Sequence, residues 1–498
     1  MNQIEKKRSA WSWIPTLYFA EGLPYVAVMT VAVIMYKKMG LSNTQVALYT
    51  SWLYLPWVIK PLWSPFIDLI KTKRWWVNAM QTLIAAAFAG VAFFIPTTHW
   101  VQVTMAFFWL LAFASATHDI AADGFYLHGL QEKEQSFFVG IRNTFYRVAM
   151  IFGQGLLVMF AGWVEQGKIF PNLGASAAGA AGSSAAAVQS AAAAVQSAAA
   201  APDTVAAAIQ SAAEGSAAAI QSAAAAVPGA VEQAAAGGNR IALAWSLAFY
   251  LLAGIFLALT IWHRFILPKP ASDAPRSDIN ARTIWRNFAT TFVSFFQKPH
   301  MGLMLFFLLT YRLGESQLVK IAQPFMLDDK AAGGLALTTA DVGAIYGTLG
   351  VIALLLGGIL AGMVISRGGF KKWILPMALA INVPDLLYVL LASLKISSVP
   401  LVSACVALEQ FGYGFGFTAY TMYLIYVAQG EHKTAHYAIG TAFMALGMML
   451  PGMAAGWISD HIGYTMFFVW ACVCTIPGIV AALLVRRQLP ADFGTKTE

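Results

Sequence analysis

Charge is what this chain has least of. Only 11% of its 498 residues are Asp, Glu, Lys or Arg, against about 25% in an ordinary soluble domain. That scarcity excludes a water-facing surface over most of the molecule, and the 59% hydrophobic content and mean hydropathy of +0.65 point to lipid. Cysteine is scarce too: Cys405, Cys472 and Cys474 all fall inside apolar runs, which argues against a disulfide frame or a thiolate metal set. The net charge of +8 could suggest nucleic acid, but the cations sit in short loops between apolar runs and not on one basic face.

What is present is a series of twelve apolar runs, near residues 11–36, 45–68, 77–96, 100–126, 137–163, 241–266, 299–327, 339–366, 371–394, 398–428, 434–458 and 462–485. Runs of about twenty residues cross the roughly 30 Å hydrocarbon core as helices. With the amino terminus inside, 20 Lys and Arg residues fall on the cytoplasmic side and 6 outside, so both termini are expected in the cytoplasm. Six spans precede residue 267 and six follow 298. The expected fold is an all-α membrane protein of the major facilitator type, with twelve transmembrane helices in two pseudo-symmetric halves, 1–163 with 241–266 and 299–487. A cytoplasmic linker at 267–298 carries an amphipathic helix from Ile279 to Phe296, and residues 488–498 form a cytoplasmic tail.

Between residues 164 and 240 lies an Ala-rich insert that has no aromatic residue from Gly174 to Gly238. Its stripe of Val188, Val195, Ile209 and Ile220 is too thin for lipid contact. Extramembrane, periplasmic helices broken at Pro202, Gly215 and Pro228 are expected there.

An ionisable residue inside a span costs a few kcal/mol or more at the bilayer centre, so each is a functional candidate. Glu21 sits midway along span 1, and Arg312 lies at comparable depth in span 7 with Glu315 a turn on. Span 4 carries His118, Asp119 and Asp123; the two acids are four residues apart, hence on one helical face. Span 5 brings Arg142, Asn143, Tyr146, Arg147 and Gln154 to a similar depth, and pairing between these carboxylates and guanidiniums is expected. Lys60, Gln317, Lys320, Gln323, Asp385 and Glu409 are further polar residues within spans, and Tyr25 and Tyr311 stand beside buried charges. Gly412, Gly414 and Gly416 after Glu409 permit close helix approach. No metal ligands recur at helical spacing and no nucleophile has a base nearby, so neither an enzyme nor a bound cofactor is expected.

Several strings resemble the muropeptide permease (AmpG-like) family of the major facilitator superfamily, related to acetyl-CoA transporters. They are Ala20-Glu21-Gly22-Leu23-Pro24, Lys60-Pro61-Leu62-Trp63-Ser64-Pro65 with Asp68, Ala116-Thr117-His118-Asp119-Ile120 with Asp123, Tyr146-Arg147, and Tyr311-Arg312-Leu313-Gly314-Glu315. The resemblance implies proton-driven import of N-acetylglucosaminyl-anhydro-N-acetylmuramic acid and its peptides across the bacterial inner membrane by a monomer, with acetyl-CoA or another anionic molecule as the alternative cargo. Proton coupling is then expected at Asp119, Asp123, Glu21 and Glu315. A cytoplasmic gate is expected at Asp68, Lys71, Lys73 and Arg74, echoed by Arg367 in the second half.

Overall fold

A computed structural model describes residues 9–130, 132–171, 240–270, 273, 281–430, 432–491 and 493–494. The Ala-rich stretch 174–238 lies outside the described residues. Among those described there is no β-strand. Every apolar run read from the sequence coincides with helix, and the breaks in those helices are where the chemistry collects.

Span 1 runs over Ala10–Lys38. Pro24 withholds one backbone donor, and the helix widens into a π turn at Ala27–Val31 just beyond it. Span 2 is split at Leu53-Tyr54 into Asn43–Trp52 and Leu55–Ile70. Spans 3 and 4 are Lys73–Phe94 and Trp100–Gly129, and span 6 is Arg240–Ile266. Span 5 begins as Glu132–Met150 and continues through a π turn at Ile151–Leu157 to Val158–Glu165. Span 7 breaks at Tyr311-Arg312 between Met301–Thr310 and Leu313–Leu327. Spans 8, 9 and 10 are Thr339–Gly368, Phe370–Leu394 and Val399–Ala428.

Eight of the described helices are long and apolar enough to cross a membrane, and nine if the bent pair Ala289–Phe296 and Met301–Leu327 is one span. Two differences separate that figure from twelve. The apolar stretch Ala435–Gln488 has 54 residues, about 80 Å of helix at 1.5 Å per residue. It therefore holds two passes, spans 11 and 12, divided at Gly463, whose φ of 74° and ψ of 164° are non-helical. The other difference is that span 2 is broken and span 10 carries Glu409, Gln410 and a glycine series, which lowers its hydropathy.

Span 10 packs tightly because of those glycines. A Cβ at Gly412 would lie 2.1 Å from the Ala380 carbonyl oxygen, and one at Gly414 would lie 1.9 Å from that of Leu354. In the linker a helix covers Ala281–Phe296, with Phe295 fully buried and Phe292 and Val293 exposed. Large exposed apolar side chains are abundant, among them Leu356, Ile359, Leu408 and Trp457, as a lipid-facing surface requires. The three cysteines are unpaired thiols.

By contacts the chain forms two compact units. One comprises Met1–Val28, Phe66–Gly153 and Leu157–Ser277; the other comprises Met29–Pro65, Gln154–Leu156 and Asp278–Glu498. In the first unit Arg240 donates from Nε to the Val164 carbonyl (2.9 Å) and from Nη2 and Nη1 to those of Phe170 (2.8 Å) and Pro171 (3.2 Å).

Candidate functional site

In the first unit, spans 1, 4 and 5 bring together most of the acids and cations read from the sequence. Arg142 Nη1 lies 3.0 Å from Asp123 Oδ1, so the expected pairing of a span 4 carboxylate with a span 5 guanidinium is present. Tyr18, which the sequence reading did not single out, donates to Asp123 Oδ1 (3.1 Å) and accepts from Arg142 Nη1 (3.0 Å). The guanidinium also lies 4.7 Å from the Tyr18 ring centre and 5.2 Å from that of Tyr126. Asp123 remains 44% exposed in this cluster, so its charge is reachable.

Glu21 is buried one turn beyond Tyr18, with the Asp119 carboxyl close enough to feel its charge. Two acids thus lie near the Asp123–Arg142 ion pair, whose charges they feel. Gly22 lets spans 1 and 5 approach closely: a Cβ there would lie 2.8 Å from the Tyr146 carbonyl oxygen. Tyr25 and Tyr146 have ring centres 6.4 Å apart. Asn143 is exposed, and Arg147 is half-buried and donates to Met150 Sδ.

His118 faces a different neighbourhood. Gln81 Nε2 lies 3.0 Å from His118 Nε2, Gln81 Oε1 lies 2.9 Å from His263 Nδ1, and Thr16 Oγ1 lies 2.9 Å from His263 Nε2. Gln81 thus bridges the two rings, and the Thr16 hydroxyl lies beside His263 while also reaching the Trp13 carbonyl (3.2 Å). Gln81 and His263 were visible in the sequence as polar residues inside spans 3 and 6, but nothing in their spacing linked them.

The second unit holds Arg312, Glu315, Gln317, Lys320 and Gln323 on span 7. Arg312 sits at the helix break, donates to the Tyr413 hydroxyl (2.6 Å) and lies 4.9 Å from the Phe417 ring centre. Lys320 is buried, donates to Thr50 Oγ1 (3.0 Å) and lies over Tyr54. Tyr311 is packed in the core, donating to the Gly416 carbonyl (3.0 Å) and stacked on Phe307. Gln317 accepts from Trp470 Nε1 (2.8 Å), and Gln323 is buried. Gln154 lies in the span 5 π turn, where Gly347 packs against its carbonyl. Lys60 is half-buried on span 2.

Glu315, Asp385 and Glu409 come from spans 7, 9 and 10, and each offers an oxygen within 4.8 Å of the others. At an effective dielectric of about 20, two negative charges at that separation repel by about 3 kcal/mol. The cluster therefore needs positive charge, as protons or as a cation. The sequence reading named all three residues and did not bring them together, because they are 24 or more positions apart.

Of the expected gate residues, Lys73 and Arg74 contact an acid the sequence reading missed. Their backbone N–H groups donate to Asp273 Oδ1 (2.6 Å) and Oδ2 (3.0 Å), a carboxylate seated on the N-terminus of span 3. The Arg74 guanidinium donates to the carbonyls of Leu267 and Arg264. Lys71 is half-buried and Arg367 is exposed; the Asp68 side chain lies outside the described residues. A second network, also missed, lies where span 1 turns into span 2. Lys37 Nζ is 2.7 Å from both Asp328 Oδ2 and Asn43 Oδ1. The Tyr464 hydroxyl accepts from Asn43 Nδ2 (2.9 Å) and donates to Asp328, and Thr44 donates twice to Asp460.

The fold defined by these helices is that of the major facilitator transporters. A mutant of the nucleoside transporter NupG superposes with a TM-score of 0.61 at 12% identity, covering 96% of this chain and 99% of that one. A D-xylose–proton symporter gives 0.59 at 13% identity over 97% and 98%. In sequence, a model described as the BT1 family matches residues 19–137. The chain resembles the anhydromuropeptide permease of Escherichia coli (strain K12), with 21% identity over 488 residues, 95% of this chain and 79% of that permease. The protein is thus a multi-pass membrane protein whose named relatives are permeases and transporters.

Proposed function

We propose that the protein is a proton-coupled secondary transporter that imports peptidoglycan fragments, N-acetylglucosaminyl-anhydro-N-acetylmuramic acid and its peptides, across the inner membrane by alternating access. The observation that carries the reading is similarity to the anhydromuropeptide permease over 95% of the chain, joined to a transporter fold. The nearness of the Glu21 and Asp119 carboxyls supports the coupling step. Protonation of this pair changes the charge beside Asp123 and Arg142 and shifts the balance between two arrangements of the spans.

In this reading both termini are cytoplasmic, Lys73, Arg74 and Asp273 hold the inner side, and the Lys37–Asp328 network holds the outer side. The sugar is recognised by aromatic faces and hydroxyls such as Tyr18, Tyr25 and Tyr146, and the anionic parts of the cargo by Arg142. Uptake of labelled anhydro-muropeptide into proteoliposomes with an imposed pH gradient tests it. Accumulation that needs the gradient and is unaffected by excess acetyl-CoA is the expected result. Accumulation of acetyl-CoA instead, or no response to the gradient, overturns it.

A further inference from the structure

The cluster of Glu315, Asp385 and Glu409 has features that a transport cavity for a sugar does not require. Its members are at most 2% exposed. Two of them are positioned by departures from regular helix: Glu315 follows the break at Arg312, whose φ is −112°, and Asp385 ends the 3₁₀ turn Val383–Asp385 that Pro384 imposes. Glu409 is oriented from outside the cluster, accepting from Gln410 Nε2 at 3.0 Å and from the Tyr388 hydroxyl at 3.4 Å.

Asp385 supplies the second observation. It is completely buried, and neither of its oxygens has a hydrogen-bond partner; Glu315 Oε2 is likewise without one. Buried carboxylate oxygens are almost always satisfied, so these three unsatisfied ones, on residues whose carboxyls approach within 4.8 Å, call for a positive partner. Oxygen ligands of calcium lie about 2.4 Å from the ion, so ligands on opposite sides are about 4.8 Å apart. The cluster's oxygens fall within that span. A donor set of oxygen alone selects hard ions and disfavours zinc or copper.

We propose that Glu315, Asp385 and Glu409 form a binding site for a hard, oxygen-ligated cation. Arg312, beside Glu315, offsets one of three negative charges. A calcium-like divalent ion, or a sodium ion together with one proton, balances the other two. The site stands whether or not the cargo is a muropeptide.

The test uses the full chain, purified in detergent and cleared of divalent ions with a chelator. Retention of radioactive calcium and of radioactive sodium is measured separately in choline chloride buffer. Saturable retention of one of the two at roughly one ion per chain is expected, and Asp385→Asn or Glu409→Gln should weaken it at least about tenfold. Retention of neither ion, as follows if the acids hold protons alone, overturns the proposal, and so does equal retention by the variants. If the variants do not fold, the thermal midpoint of the unmodified protein decides. A rise with calcium or sodium but not with choline at equal ionic strength supports the site, and an unchanged midpoint overturns it.

Discussion

Asp123 and Arg142 form a 3.0 Å ion pair in which the acid is still 44% exposed, while the guanidinium is held from behind by two tyrosine rings. The cation is thus fixed and the acid is the reachable partner. Arg142→Lys keeps the charge but loses the planar group that stacks on Tyr18 and Tyr126. Loss of cation–π contacts of about 1 kcal/mol in total should reduce uptake by about fivefold, and Arg142→Ala should abolish it. Initial uptake rates in proteoliposomes, normalised to reconstituted protein, check both.

If Glu21 and Asp119 carry the coupling proton, uptake has a pH signature. Glu21→Gln keeps the size of the side chain but cannot ionise. Uptake by this variant should respond at least tenfold less to an inward pH gradient, while counterflow of labelled against unlabelled substrate, which moves no net proton, persists. A full gradient response in the variant would remove this pair from the coupling step.

Gly412→Ala puts a methyl group 2.1 Å from the Ala380 carbonyl oxygen. Backbone cannot yield as a side chain tip can, so a loss of about 1–3 kcal/mol is expected. A lower thermal midpoint and reduced monodisperse yield in size-exclusion chromatography are the readouts. Gly254→Ala, which meets nothing within 4 Å, should leave both unchanged.

Asp273→Ala removes the carboxylate that accepts from the Lys73 and Arg74 amides. Loss of an N-terminal helix partner costs about 0.5–2 kcal/mol. The expected outcome is a lower thermal midpoint and faster proteolysis in the linker, with Asp273→Asn falling between the variant and the unmodified protein.

Tyr464→Phe removes the hydroxyl that joins Asn43 to Asp328 while leaving the Lys37 ion pair in place. If this network holds one side shut, a cysteine placed at Thr44 should react faster with a membrane-impermeant maleimide in the variant. Equal labelling rates would assign the network to stability alone.

The spans were legible because a bilayer demands some twenty apolar residues in a row, and composition alone reports that. Span 10 hid some of its length behind Glu409 and its glycines, yet those same residues announced the close packing against Ala380 and Leu354. Sites were legible where the partners lie on neighbouring spans, as with Asp123 and Arg142. They were not legible where spans distant in sequence meet. Nothing in one sequence says that Gln81 joins His118 to His263, that Asp385 meets Glu315 and Glu409, or that a linker acid caps span 3. Those contacts depend on how each helix is rotated, and rotation is set by packing and by the breaks at Pro24, Arg312 and Pro384.

Arg240, the first residue of span 6, grips the carbonyls of Phe170 and Pro171 just beyond span 5, so these two ends are stitched side by side. The spacing of those ends is therefore fixed by the bundle and is indifferent to how many residues intervene. A rigid fiducial domain or a short glycine bridge spliced in place of 174–238 should be accepted there without disturbing the helices, which makes this junction a natural handle for imaging.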